Sequence, residues 1–321
     1  MARSLSEKIS ESRRLLKNPY AYLNETGGYS ALHYHGEHKE PSREEITKSR
    51  KLLQDPYAHI EELEGFSAAL NRLSDQQNNS GVSRKKIKER RYSYDEIEKR
   101  VKNLHRAMWQ NKNEIWLDSV PSNPVEMLDP FIALKYSGYE CDLEETLGQF
   151  YCDGKLVETA GVIDRTSARV SISRQFDSNV RNFTAAHELG HALLHQTSGL
   201  HRDRPLDGSS RSQDVREIEA DKFATYFLMP ERLVKTNFKK FFLTECFGLN
   251  EETAHALGLG DLMQLQEKVQ TLRQLSRIIA SAEKYNGVHF RSLASQFHVS
   301  TEAMAIRLEE LGLLELKGSA S

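Results

Sequence analysis

The sequence predicts a mixed α+β fold that is mainly helical with a small β-sheet, flanked by helical extensions at both ends. Three observations predict it. Apolar residues recur at helical spacing in segments such as Tyr94–Gln110, and again just before Pro230. Between Thr159 and Phe176 the pattern changes to two short apolar runs around a polar connection, as in two strands. A third stretch, FTAAHELGHALLHQ from Phe183, places histidines one helical turn apart.

Composition limits the function classes. The chain has 321 residues, 44 Lys plus Arg against 46 Asp plus Glu, and a formal charge of −2, which argues against a globally basic nucleic-acid binder. An apolar fraction of 38% and a mean hydropathy of −0.61 imply a packed core in part of the chain only. No apolar run reaches the roughly 18 residues of a membrane helix. The start, MARSLSEKIS, lacks the apolar stretch of a secretory signal, and three scattered cysteines suit a reducing compartment, so a cytoplasmic protein is expected.

In chain order, the first feature is a duplication. Ile9–Leu32 (ISESRRLLKNPYAYLNETGGYSAL) returns 37 residues on as Ile46–Ala69 (ITKSRKLLQDPYAHIEELEGFSAA), each copy a short helix ended by Asn-Pro or Asp-Pro. Two copies fall short of the three or so that a solenoid core needs. Residues 1–82 are thus expected to be a polar, helical region and linker that docks a partner, or else a partly ordered extension. SRKKIKERR, Ser83–Arg91, is basic enough to touch phosphates, but a solvated helix face is the commoner explanation of such a run. Ile97, Val101, Leu104 and Met108 line one face of a helix, and a second short helix is expected over Phe131–Tyr136. Gly161-Val162-Ile163 and Val170-Ser171-Ile172 then flank DRTSAR as two strands.

The chemistry concentrates in His187-Glu188-Leu189-Gly190-His191. On a helix, positions i and i+4 share a face, so both imidazoles reach one tetrahedral zinc ion. Glu188 is rotated off that line, where its carboxylate can hold and deprotonate the attacking water. A third ligand is needed. The pattern HExxHxxGxxH would put a histidine at position 197, where Thr197 stands. His195 is better placed for substrate or for a group behind the ligands. The other common solution is a glutamate on a second helix, supplied by DVREIEADKFATYFLM, Asp214–Met229. There Glu217, Ala220, Asp221 and Ala224 share a face, so Glu217 can ligate zinc while Asp221 takes the free N–H of a ligand histidine. Two alternatives stay open: Asp214 and Glu217 as a helix-capping pair, and Glu219 as ligand, although it points about 160° away from Asp221.

These motifs, AGVIDRTSARVSI…RNFTAAHELGHALLH followed by EIEADKFATYFLMP, resemble the ImmA/IrrE-type metallo-endopeptidases over about residues 97–234. The resemblance implies a zincin-like metalloprotease core, with zinc on His187, His191 and Glu217 and Glu188 as general base. It departs at Asp221, where the family usually has Asn. It further implies a protein substrate, plausibly a helix-turn-helix repressor. His195, Tyr226 and Arg174 are candidates for contacting substrate or its oxyanion, and the strand Arg169–Ser173 for pairing with a substrate edge.

The peptidase domain is expected over residues 83–236 and a helical C-terminal region over 237–321. Within the latter, GVHFRSLASQFHVSTEAMAIRLEELGLLEL outlines a helix-turn-helix. Its second helix carries Glu302, Glu309 and Glu310 against Arg307, which opposes docking on phosphates, so packing or partner docking is expected over direct DNA binding. Phe238, Phe241, Phe242, Phe247, Leu262, Leu265, Val269 and Leu272 read as core. The competing interpretation is a non-catalytic, zinc-containing regulator that binds DNA or a partner through this tail.

Overall fold

The computed structural model describes residues 91–152, 155–195, 200–203, 214–258 and 269–316, with Met263 and Gln266 between the last two stretches. The duplication, the linker after it and the basic run up to residue 90 lie outside the described residues, as do Leu262 and Leu265. All described residues belong to one of two compact units of the chain, Arg50–Ser321.

The mixed α+β class holds: helices dominate and the sheets are small. Helix α1, Tyr94–Gln110, opens on a capping box in which Ser93 and Glu96 each satisfy the other's backbone N–H, and it buries Ile97, Val101, Leu104 and Met108 as their spacing predicts. A short helix α2, Lys112–Ile115, and a 3₁₀ turn, Pro124–Met127, lead to α3, Pro130–Tyr136. The Asp129 carboxylate accepts from the N–H groups of Phe131 and Ile132 at 2.8 and 3.2 Å and so starts α3, with Pro130 at its first position.

The main sheet has four strands rather than two. Strands β1 (Glu140–Glu144), β4 (Gly161–Asp164), β5 (Arg169–Ser173) and β6 (Leu200–Asp203) lie in the order β1-β5-β4-β6, with β1 parallel to β5 and the other pairs antiparallel. Strands β2 (Gln149–Cys152) and β3 (Lys155–Glu158) form a separate hairpin. Both expected strands, β4 and β5, form. Their connection closes on Asp164, whose carboxylate accepts from Thr166 N–H at 2.9 Å and the Ser167 hydroxyl at 2.8 Å. Because β5 is hydrogen-bonded to a neighbour on each side, it has no edge left for a substrate, contrary to expectation.

Ile163, Val170 and Ile172 point into the apolar cluster under helix α4, Ser178–Leu194, which packs on β4 and β5. Helix α5, Val215–Leu228, crosses α4 and in turn contacts α1. Gly190 permits that crossing: a methyl there would lie 3.1 Å from Ala220 Cα and 3.2 Å from the Ala220 carbonyl oxygen.

After Pro230, helix α6 (Glu231–Phe242) runs to Leu243, so the position expected as a domain boundary, 236/237, falls inside a helix. Strand β7 (Phe247–Gly248), α7 (Glu251–Leu257), α8 (Leu272–Ser281) and a hairpin of β8 (Lys284–Tyr285) and β9 (Val288–His289) follow. Asn286 and Gly287 turn that hairpin with φ of 50° and 78°, a pair suited to two left-handed residues. The stretch expected as a helix-turn-helix forms the one-turn α9 (Leu293–Gln296), a turn through His298, and α10 (Thr301–Glu310), ending in β10 (Leu314–Glu315), which pairs with β7.

The glutamates of α10 pair with cationic side chains of the same chain. Arg273 of α8 bonds Glu302 and Glu309 at 2.7 Å each, Arg277 pairs with Glu302, and Glu310 pairs with Lys222 of α5. Buried Arg307 donates from Nε to the Met229 carbonyl at 3.0 Å. Among the described residues, no helix is long and apolar enough to cross a membrane.

Candidate metal centre

The sequence turns α4 and α5 into two facing ligand rows. Asp177 caps α4 by accepting from Asn179 and Val180 N–H at 2.9 and 3.1 Å, and the fixed helix sets His187 and His191 one turn apart on its buried side. Asp214 caps α5 at Arg216 N–H, 2.9 Å. Glu217 is therefore not spent on a capping box; it lies one turn in and faces α4.

Three donor atoms converge there. His187 Nε2 and His191 Nε2 are 3.0 Å apart, and the two Glu217 carboxylate oxygens lie 3.4 Å from the first and 3.5 Å from the second. Ligand atoms about 2.0–2.1 Å from a tetrahedral ion are themselves about 3.3 Å apart, so the spacing fits a metal ion. One such donor from each of His187, His191 and Glu217 lies within 4.8 Å of the others.

The atoms behind the donors fix which nitrogen faces inward. His187 Nδ1 is 2.8 Å from Asp221 Oδ1, so this ring donates from Nδ1 and turns the Nε2 lone pair to the centre. His191 Nδ1 is 3.0 Å from His195 Nδ1, and His195 Nε2 is 3.0 Å from Glu219 Oε2. Burial holds the His195 pKa below the usual imidazole range, against the raising effect of its bond with Glu219, so the ring is neutral at pH 7. With His187 Nδ1 protonated, its Nε2 lone pair faces the Glu217 carboxylate and the Nε2 of His191, an arrangement that a cation between them stabilises.

Glu188 is fully buried on the sheet side of α4. Its carboxylate lies against Gly161 of β4: a methyl at that position would stand 2.5 Å from Glu188 Oε1 and 2.6 Å from Thr184 Cγ2. Arg165 closes the end of the same helix, donating to the carbonyls of His191 and Ala192, and Arg100 donates to that of Leu193 at 3.4 Å.

Of the residues read from the sequence, His187, His191, Glu217 and Asp221 come together, with Glu188 beside them and His195 behind His191. Two of the substrate candidates do not join the cluster. Tyr226 stands half a turn of wheel from Glu217, nine positions at 100°, and faces away, with the Arg307 guanidinium 5.1 Å from its ring centre. Arg174 is ion-paired with Glu145 at 3.2 Å beside the hairpin. Glu219, considered as a ligand, is instead buried against His195 and the Tyr92 N–H, 2.9 Å away. The sequence carried a partial signal for this role, since its wheel angle turns it from the metal side, but its partners are distant in the chain. Gly161 was read only as part of a strand.

Residues 145–257, from just before β2 to the end of α7, match the Peptidase_M78 family, described as the IrrE N-terminal-like domain. No curated protein matches the chain. The matched stretch contains every residue of the converging cluster, so residues 145–257 are similar to an ImmA/IrrE-type metallopeptidase domain.

Proposed function

We propose that this chain is a zinc-dependent endopeptidase with a zincin-like core, acting on a protein substrate such as a helix-turn-helix transcriptional repressor. One observation carries the reading: Glu188 lies buried beside two histidines and a glutamate whose donor atoms have metal-ligand spacing. A purely structural site has no need of a second carboxylate held there.

His187, His191 and Glu217 would hold the ion, and Asp221 keeps the His187 ring in its ligating orientation. Zinc, when bound, supplies the Lewis acidity that polarises the scissile carbonyl and brings the pKa of water toward 7. Glu188 takes the proton of the attacking water and passes it to the leaving amine. Gly161 sets the carboxylate's position by leaving it room.

The protein is read as cytoplasmic, with residues 1–82 docking a partner and the helix-turn-helix-like tail serving packing rather than DNA binding. The commitment of Glu302, Glu309 and Glu310 to arginines and a lysine of the same chain supports that role for α10. The test is Glu188→Gln, assayed against any helix-turn-helix repressor that a neighbouring gene encodes. The variant keeps its zinc and loses cleavage by about 10²- to 10⁴-fold. Unchanged cleavage would overturn the mechanism.

A further inference from the structure

The two ligand histidines are oriented by different means. His187 Nδ1 meets the Asp221 carboxylate directly, and that side chain is 37% exposed. His191 Nδ1 instead meets a third imidazole, and the side chains behind it are buried, with His195 at 7% and Glu219 at 4% exposure. We propose that Glu219 and His195 form a positioning chain that selects the tautomer of His191 and so prepares its Nε2 for the metal, an inference that rests on the metal-binding reading above.

The contacts of Glu219 and His195 carry the assignment. Glu219 is the fixed end: Oε1 accepts from the Tyr92 backbone N–H at 2.9 Å, and Oε2 faces His195 Nε2 at 3.0 Å. A carboxylate only accepts, so His195 carries its proton on Nε2. Its Nδ1 is then a lone pair and accepts from His191 Nδ1 across 3.0 Å. His191 therefore holds its proton on Nδ1 and presents an Nε2 lone pair to His187 and Glu217. With His195 held by Glu219, a proton on His191 Nε2 alone would set the Nδ1 lone pairs of His191 and His195 against each other at 3.0 Å, with no cation position between them, whereas the Nε2 lone pairs of His187 and His191 face the place the ion would take.

The chain also gives His195 a role that sequence spacing leaves open. It follows His191 by four positions and caps the C-terminal end of α4, where the backbone has turned extended. Its Nε2 is committed to Glu219 and its Nδ1 to His191, so it stands behind the ligand set and acts through His191. The last link, Tyr92, directly precedes the Ser93 cap of α1. Seating of α1 and orientation of His191 are thereby joined through two side chains.

The experiment has two readouts. Long-range ¹H–¹⁵N NMR assigns the tautomers, with His195 protonated at Nε2 in the metal-free protein and His191 protonated at Nδ1 once zinc is added. The reverse assignment for either ring in its stated form of the protein overturns the proposal, and the His195 result does so whether or not the protein binds zinc. In the second, zinc affinity is measured by chelator competition for wild type, His195→Phe and His195→Gln. The Phe variant fills the space without an acceptor and loses affinity about 10- to 100-fold. In the Gln variant the amide oxygen accepts from His191 while its NH₂ donates to Glu219, so affinity stays within about threefold of wild type. Equal affinity in wild type and Phe variant, or equal losses in both variants, overturns the proposal. Should His195→Phe fail to fold, the Gln variant and the tautomers decide it. Absence of zinc binding by wild type would instead sink the metal-binding reading and leave the tautomer result standing.

Discussion

At the residue scale, the distance of Gly161 from Glu188 gives the sharpest separation of fold from chemistry. A methyl at position 161 meets two side chains, the Glu188 carboxylate at 2.5 Å and the Thr184 methyl at 2.6 Å, and no backbone within the closest contacts. The strand can keep its ladder while the carboxylate moves. Gly161→Ala should therefore retain zinc, because neither histidine nor Glu217 is touched, and lose cleavage by about 10²-fold, the scale set by a misplaced reacting group. Zinc content and turnover measured on one preparation check this, and an active variant would place the working position of Glu188 away from β4. Much of this residue-level site was legible beforehand. Histidines four apart and a glutamate sharing a face with an aspartate are consequences of helical pitch alone. What was not legible, the burial of Glu219 and the committed ring of His195, depends on where Tyr92 falls in space, 127 positions from Glu219, and helical pitch says nothing of that.

At the element scale, α1 braces the ligand helix α5 from behind, and His105 marks the contact. Its ring lies 4.9 Å from that of Phe227, and burial pushes its pKa down to about 3, against the raising effect of a hydrogen bond with the Phe227 backbone. The unfolded chain protonates this imidazole near pH 6.5, whereas the folded chain holds it neutral down to about 3. Between those values the unfolded state binds more protons, so His105 contributes a loss of stability as pH falls, up to about 1.4 kcal/mol per pH unit. His105→Phe removes that contribution. Urea unfolding of the metal-free proteins from pH 7 to 4 should show the two stability curves converging or crossing toward acid, and parallel curves would refute the assignment. Element existence was well predicted for α1, α4 and α5, whose periodicity is long. Strands β1 (ECDLE) and β6 (LHRD) were missed because each is a sheet edge of mixed polarity, with no apolar alternation to detect. The β8–β9 hairpin carried its Asn286-Gly287 signal, but two-residue strands are too short to register as a pattern.

At the scale of the whole molecule, the family-matched stretch ends at 257, but the apolar core does not. Phe242 and Phe247 of α6 and β7 lie in one cluster with Tyr285 of the β8–β9 hairpin, at ring-centre distances of 5.4 and 6.0 Å, and Phe241 stacks on Phe290 at 4.5 Å. Strand β10 pairs with β7, and Arg307 ties α10 to the end of the ligand helix at Met229. A chain cut after Gly258 would uncover Phe238, Phe242 and Phe247, each fully buried now. Exposing one large apolar side chain costs about 1.5–3 kcal/mol, so three approach the roughly 5–15 kcal/mol by which a whole domain is stable. The truncated chain is therefore expected to lose cooperative unfolding and near-ultraviolet circular dichroism, even though every proposed zinc ligand remains. A soluble truncation that melts within a few degrees of the full chain would show the opposite. The helices α8 to α10 would then be an appendage, and the ties through Arg307 and Lys222 would be incidental to holding α5 in place. The core's continuity from α4 through α10 favours the first outcome: the tail completes the wall against which the second ligand helix is packed.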